Sequence, residues 1–148
     1  LISSAASDVY KRQGYDVHIT RKGDWSDTEG PMITREEWLD YVGGDKSMKL
    51  EREAIVSNDR GDAFSVSNET LAVWKDWPAR VEGKNEAWMW HAAGNVMAKN
   101  PDAEMLRKMF LIADALAAKL QGDEGEIYNS IGLVDHQDRS KKRWWKFW

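Results

Sequence analysis

Apolar and polar residues alternate singly at the start of the chain, with Tyr15, Val17 and Ile19 set against Asp16, His18 and Thr20. This is the period of two that a half-buried strand requires. The pattern predicts a first strand with its apolar face inward and His18 on the outward, solvent-facing side. Residues 23–32 have no periodicity and contain Gly23, Gly30 and Pro31, so they read as a polar loop carrying Trp25. A helix start follows. Thr34 can cap it, Glu37 three residues on completes a capping box, and Ile33 and Trp38 are spaced to staple the entry. Gly43-Gly44 is expected to end this short helix, because glycine tolerates the left-handed conformation that closes many helices.

Sparse, strand-like apolar residues over 48–56 and 63–66 flank Asn58-Asp59-Arg60-Gly61, which reads as a hairpin turn. Residues 71–77 predict a further strand, with its end set by Pro78. Residues 87–91 and 95–99 flank Ala92-Ala93-Gly94 and predict a second hairpin. The period then becomes helical. Asn100 reads as a cap and Pro101 as the first helical residue, and Met105, Leu106, Met109, Phe110, Ala113, Leu116, Ala117 and Leu120 recur on one face until Gly122. Glu126-Ile127-Tyr128 adds a last short strand. The fold class expected is α+β: an antiparallel sheet packed against one long amphipathic helix, plus a short helix after the first strand. Residues 14–128 form a single domain on this reading, and residues 129–148 a basic, Trp-rich C-terminal tail too polar to build a core.

Composition changes this picture in two places. The formal net charge of −4 conceals an uneven division. Residues 14–138 hold 14 basic against 24 acidic side chains, a net of −10, whereas residues 139–148 hold five bases and no acid. An acidic body steers basic partners inward and argues against nucleic acid as the ligand. The second departure is tryptophan, nine in all and six of them at 25, 38, 74, 77, 88 and 90. Trp38, Trp74 and one of Trp88 and Trp90 are expected in the core, since large aromatics supply much of the buried area of a small domain. Trp88 and Trp90 share a strand face, with Trp74 across from them if the strands pair. Trp25 and Trp77 stand beside loop signals and are the expected exposed pair, available for a partner.

Chemical motifs are scarce. There is no cysteine, which removes disulfides, thiolate metal sites and cysteine nucleophiles together. His18, His91 and His136 have no partners at metal-ligand spacing, and no cofactor is expected. Asp24 and Asp27 in the first loop, and Asp123 and Glu124 in the acidic turn after the long helix, lack the alternating ligands of a calcium loop and read as solvated turns. They remain candidates for partner binding, together with Trp25 and Trp77. In the tail, Trp144, Trp145 and Trp148 interleave with bases. That composition suits docking on an acidic surface or weak contact with an anionic membrane.

Residues 3–13, SSAASDVYKRQ, resemble a translated sequencing-library adapter, and residues 1–13 are set aside as artefactual and expected to be disordered. The native chain is then expected to begin near Gly14, with any earlier residues or signal peptide lost. Tyr15-Asp16-Val17-His18-Ile19-Thr20-Arg21, Asp24-Trp25, Ile33-Thr34-Arg35-Glu36-Glu37-Trp38-Leu39, Leu71-Ala72-Val73-Trp74, Lys99-Asn100-Pro101-Asp102, Leu106-Arg107-Lys108-Met109 and Gln121-Gly122-Asp123-Glu124-Gly125-Glu126 together resemble a family of small uncharacterised bacterial α+β proteins. The resemblance spans residues 15–128 and implies a fold without implying catalytic residues. In size, acidity and build the chain is also similar to immunity proteins of bacterial toxin systems, an analogy of type. The leading expectation is a non-enzymatic, cytoplasmic protein-binding domain with an acidic surface and a basic protein partner. The alternatives are a carbohydrate-binding or hydrolytic domain using loop carboxylates and tryptophans, and a peripheral membrane protein held by its tail.

Overall fold

The alternation at the start of the chain folds as β1 (Asp16–Thr20), and its two neighbours in the sheet come from far along the sequence. The structure, a computed structural model, describes residues 15–51, 53–57, 63–128 and 134–135. Residues 3–13, the turn expected at Asn58-Asp59-Arg60-Gly61, His136 and the tail tryptophans Trp144, Trp145 and Trp148 lie outside the described residues. After β1 come α1 (Arg35–Gly44), β2 (Met48–Leu50), β3 (Glu53–Ser57), β4 (Ala63–Ser67), β5 (Ala72–Trp74), β6 (Trp88–Ala92), β7 (Asn95–Lys99), α2 (Ala103–Ala115), β8 (Lys119–Gly122), β9 (Ile127–Tyr128) and β10 (Val134–Asp135). Eight strands form one antiparallel sheet in the order β10-β9-β8-β1-β7-β6-β5-β2, and β3 and β4 pair as a separate antiparallel ribbon. With two helices among the described residues the architecture is α+β.

Register and the period of two sort the sheet into two faces. Val17 lies beside Ala98 and Ile19 between Val96 and Leu120. These residues, with Met89, Ala72 and Met48, join Trp38 and Val42 of α1 and Met105, Leu106, Met109, Ile112 and Ala113 of α2 in one buried cluster. The second face carries Asp16, His18, Thr20, Met97, Trp90 and Gln121, since His18 lies opposite both Met97 and Gln121, and Met97 opposite Trp90.

Helix α1 starts as expected. Thr34 Oγ1 accepts from Glu37 N at 3.1 Å and Thr34 N donates to Glu37 Oε1 at 3.0 Å, while Ile33 and Trp38 are both fully buried. Its end differs. Gly43 and Gly44 stay within the helix, and Asp45 closes it in an extended conformation, its N–H donating to Val42 O. The Asp45 side chain explains this. It accepts from Ser47 N, Ser47 Oγ, Tyr41 Oη and Lys108 Nζ, so the turn is tied by a carboxylate and needs no left-handed glycine. Burial opposes ionisation of that carboxyl, and the Lys108 ammonium with the hydroxyls of Tyr41 and Ser47 outweighs it, holding Asp45 below the usual carboxylate range.

The second helix is shorter than its apolar spacing suggests. Asn100 takes φ 46° and extends the β1–β7 pairing instead of capping: its N–H donates to Tyr15 O at 2.8 Å, and its Oδ1 accepts from Tyr15 N at 3.0 Å. The cap is Asp102, whose Oδ1 accepts from Met105 N. The helix stops at Ala115, Ala117 turns back at φ 52°, and Leu120 belongs to β8 beside Ile19. Leu116, Ala117 and Leu120 fit a continued helix by spacing, but a turn and a strand bury Leu116 and Leu120 equally well. Strand β5 ends at Trp74, before Trp77 and Pro78.

The tryptophans also redistribute. Trp38 is fully buried and its Nε1 donates to Thr70 O at 2.8 Å. Met89, not a neighbouring tryptophan, fills the core from β6, and Trp88 and Trp90 are half-buried on the second face. Trp88 lies opposite Val73, which turns Trp74 to the other side of the sheet. Among the described residues no helix is long and apolar enough to cross a membrane.

Candidate functional site

The second face should be wet by its composition, yet His18 is 3 % exposed and Thr20 and Gln121 are fully buried. The loop from Arg21 to Met32 lies across it, held by side chains that reach backbone groups. Trp25 N donates to Gln121 Oε1 at 2.8 Å, and Gln121 Nε2 donates to Asp24 Oδ1 and Gly125 O. Asn95 Nδ2 donates to Trp25 O at 2.9 Å. Lys22 Nζ donates to Asp27 O and Ala93 O at 2.8 and 2.6 Å, which ties the loop to the β6–β7 turn. That turn has positive φ at both Ala93 and Gly94, as a two-residue hairpin needs. A Cβ on Gly94 would come within 2.6 Å of Met32 Cγ, so the turn also seats the end of the loop.

These bonds bring the Trp25 ring flat onto His18, with centroids 4.0 Å apart and planes 2° from parallel. His18 Nε2 is 2.9 Å from Asp123 Oδ1, and Trp25 Nε1 donates to Asp123 O at 3.3 Å. Asp123 is fixed in turn, since its Oδ2 accepts from Asp16 N and its own N–H donates to Asp16 O. Burial, and then the charge of Asp123, push the Asp16 carboxyl above its usual range, against the pull of Lys99 and His18. Around the stacked pair lies a cleft of ≈ 570 Å³, bordered by Asp16, Asp27, Asp123, Asn95, Met97 and Met32 among others.

Of the residues expected at a binding site, Asp24, Trp25, Asp27 and Asp123 meet here. Asp24 acts as a brace, Asp27 and Asp123 as walls and Trp25 as the stacked ring. Trp25 is half-buried and committed rather than exposed. Trp77 is elsewhere and also half-buried, donating Nε1 to both carboxylate oxygens of Asp102 at 3.1 and 3.0 Å. Glu124 is exposed in the β8–β9 turn beside Asp123 and does not border the cleft. Asp123 is no solvated turn residue: its side chain is 29 % exposed and anchors the imidazole. Pattern reading missed His18, Asp16, Asn95, Lys22 and Gln121. The outward direction expected of Asp16 and His18 is correct, but the loop that covers this face is bonded to polar groups and leaves no periodic signal.

Chemically the cleft offers an imidazole oriented by a carboxylate, a second carboxyl of raised pKa and an aromatic wall. Ser26 Oγ donates to Asp24, away from the imidazole. Among the described residues no three His, Asp or Glu side chains converge as a metal-binding group. No family model, curated protein or solved structure matches this chain.

Proposed function

We propose that the chain is a non-enzymatic, cytoplasmic binding domain of the immunity-like kind, and that it meets a basic protein partner at the cleft over His18. One observation carries this reading: the loop holds Trp25 against His18 beside an already open cleft bordered by Asp16, Asp27 and Asp123. A pre-formed acidic recess binds without first ordering a loop, so more of the contact energy remains for affinity. The net of −10 over residues 14–138 adds long-range attraction for a basic surface. The test is titration with a peptide of alternating lysine and glycine, read by Trp fluorescence at two ionic strengths. Saturable binding that weakens with salt and falls at least tenfold in Asp123→Asn supports the reading; a response indifferent to salt and to Asp123 overturns it.

A second reading is hydrolytic or carbohydrate-binding. It is favoured by two carboxyls, Asp16 and Asp123, in a Trp-walled cleft, with burial pushing that of Asp16 above its usual range, since a pair of carboxyls is the equipment that cleaves glycosides. A panel of saccharides on the same fluorescence signal separates the two. Quenching by a sugar and none by the peptide selects the second.

A further inference from the structure

Buried side-chain oxygens in folded proteins nearly always have a donor. Among the described residues four do not: Asp16 Oδ1, Asn95 Oδ1, Glu126 Oε1 and Tyr128 Oη. The first two border the cleft. Asn95 is 3 % exposed and its amide nitrogen is spent on Trp25 O, which fixes the amide orientation and leaves Oδ1 as an acceptor in want of an N–H. The donors nearby are largely engaged: two of the three Lys22 N–H groups go to carbonyls, the Trp25 indole to Asp123 O and His18 Nε2 to the Asp123 carboxylate. The unmet demand of the cleft is for donors.

The two acceptors stand at opposite ends. Asp16 lies opposite Lys99 on β7, and Asn95 is four residues back along that strand, a separation of about 13 Å between backbones. An extended lysine or arginine, with a hydrogen bond at its charged tip and another at its backbone N–H, has about that length. The ends differ in charge. Asp16 and Asp123 make the first negative, whereas the Lys22 ammonium sits by Ala93 at the other. Two carboxyls outnumber the Lys99 ammonium at the Asp16 end, whereas Lys22 and Asp27 offset each other at the Asn95 end, so a cation is drawn to the Asp16 end. Between them Met97 and Trp25 provide an apolar wall for a methylene stem. The loop bearing Trp25 is held in place by its hydrogen bonds, so this wall stands before a chain arrives.

We propose that the cleft receives one lysine or arginine residue of the partner, its cationic tip between Asp16 and Asp123, its stem along Met97 and its backbone N–H on Asn95 Oδ1. This rests on the cleft being the binding centre. The probes are the N-acetyl, N-methylamide derivatives of lysine, arginine, norleucine and citrulline, titrated into the full chain by ¹H–¹⁵N NMR. The expected result is saturable shifts at the Trp25 indole, the Asn95 side-chain amide and the Asp16 amide with lysine or arginine, with affinities at least tenfold weaker for the two neutral compounds. Asp16→Asn, which keeps shape and removes charge, should weaken the cationic probes at least fivefold and leave the neutral ones unchanged. Equal affinity of neutral and cationic probes, shifts centred elsewhere or an unaffected Asp16→Asn would overturn the assignment. If all four compounds fail while the lysine–glycine peptide still binds in an Asp123-dependent way, the single-residue receptor falls and the broader reading stands. If the peptide fails too, both fall.

Discussion

The two faces of the sheet are built by different physics. On the core face Val17, Ile19, Val96 and Leu120 meet two helices, and burial of apolar surface does the holding. On the second face His18, Thr20, Asn95 and Gln121 are buried to a similar extent, but under a loop and by directed hydrogen bonds. The first kind of burial is non-directional and tolerates repacking. The second is worth little per bond when made and much when one partner is lost, so it specifies geometry more than it adds stability. The proposed binding centre would need that exactness of position, and its cleft lies on the second face.

Four measurements break or sharpen the comparison. The largest effect belongs to the core face: Trp38→Ala should cost about 3–5 kcal/mol in urea unfolding, as a fully buried large aromatic does. Gln121→Leu preserves volume on the other face and strands Trp25 N, so about 1–3 kcal/mol is expected. Hydrogen exchange should rise across residues 23–32 while Val17 and Ile19 stay protected; uniform acceleration would mean the two faces are one cooperative unit. Trp25→Ala should remove about 0.5–1.5 kcal/mol of ring pairing with His18 and redshift none of the core tryptophan emission.

The smallest effect is a pH dependence at the rim. Arg21 grips Glu37 through both carboxylate oxygens at 2.9 and 2.6 Å and also donates to Leu116 O, joining α1 to the end of α2. The Arg21 bonds, with the Thr34 N–H, lower the Glu37 carboxyl from 4.5 to about 2. A carboxyl depressed in the folded state binds its proton more readily when unfolded, so its contribution is present above about pH 4.5 and is lost as pH falls towards 2. Comparison of the acid limb of wild type with Glu37→Gln reads this difference, and overlapping limbs would refute it.

What could be read in advance follows the same divide. The capping box at Thr34 and Glu37, the hairpin at Ala93-Gly94 and the apolar face of β1 are local or periodic, and they appear in the sequence because each is written within a few neighbouring residues. The helix expected to run until Gly122 stops at Ala115, because Leu116 and Leu120 satisfy a helix and a turn into β8 alike. Half of the site was named, with Asp24, Trp25, Asp27 and Asp123 suspected from loop chemistry. The other half was hidden because His18 and Gln121 become neighbours only once β8 is placed beside β1. Polar residues on the outward face of a strand imply water until something is known to cover them.

The position of β1 between β7 and β8 also sets an order of events. His18 waits 105 residues for Asp123, and Trp25 waits 96 for Gln121. Contacts so distant along the chain close late, after local helices and hairpins have formed. During synthesis, then, the cleft is incomplete until the last third of the domain has emerged, and a chain interrupted before β8 would lack the Gln121 and Asp123 that fix Trp25 and His18, keeping only the ties to Ala93 and Asn95. The proposed binding centre would thus be complete only once β8 and its following turn are in place.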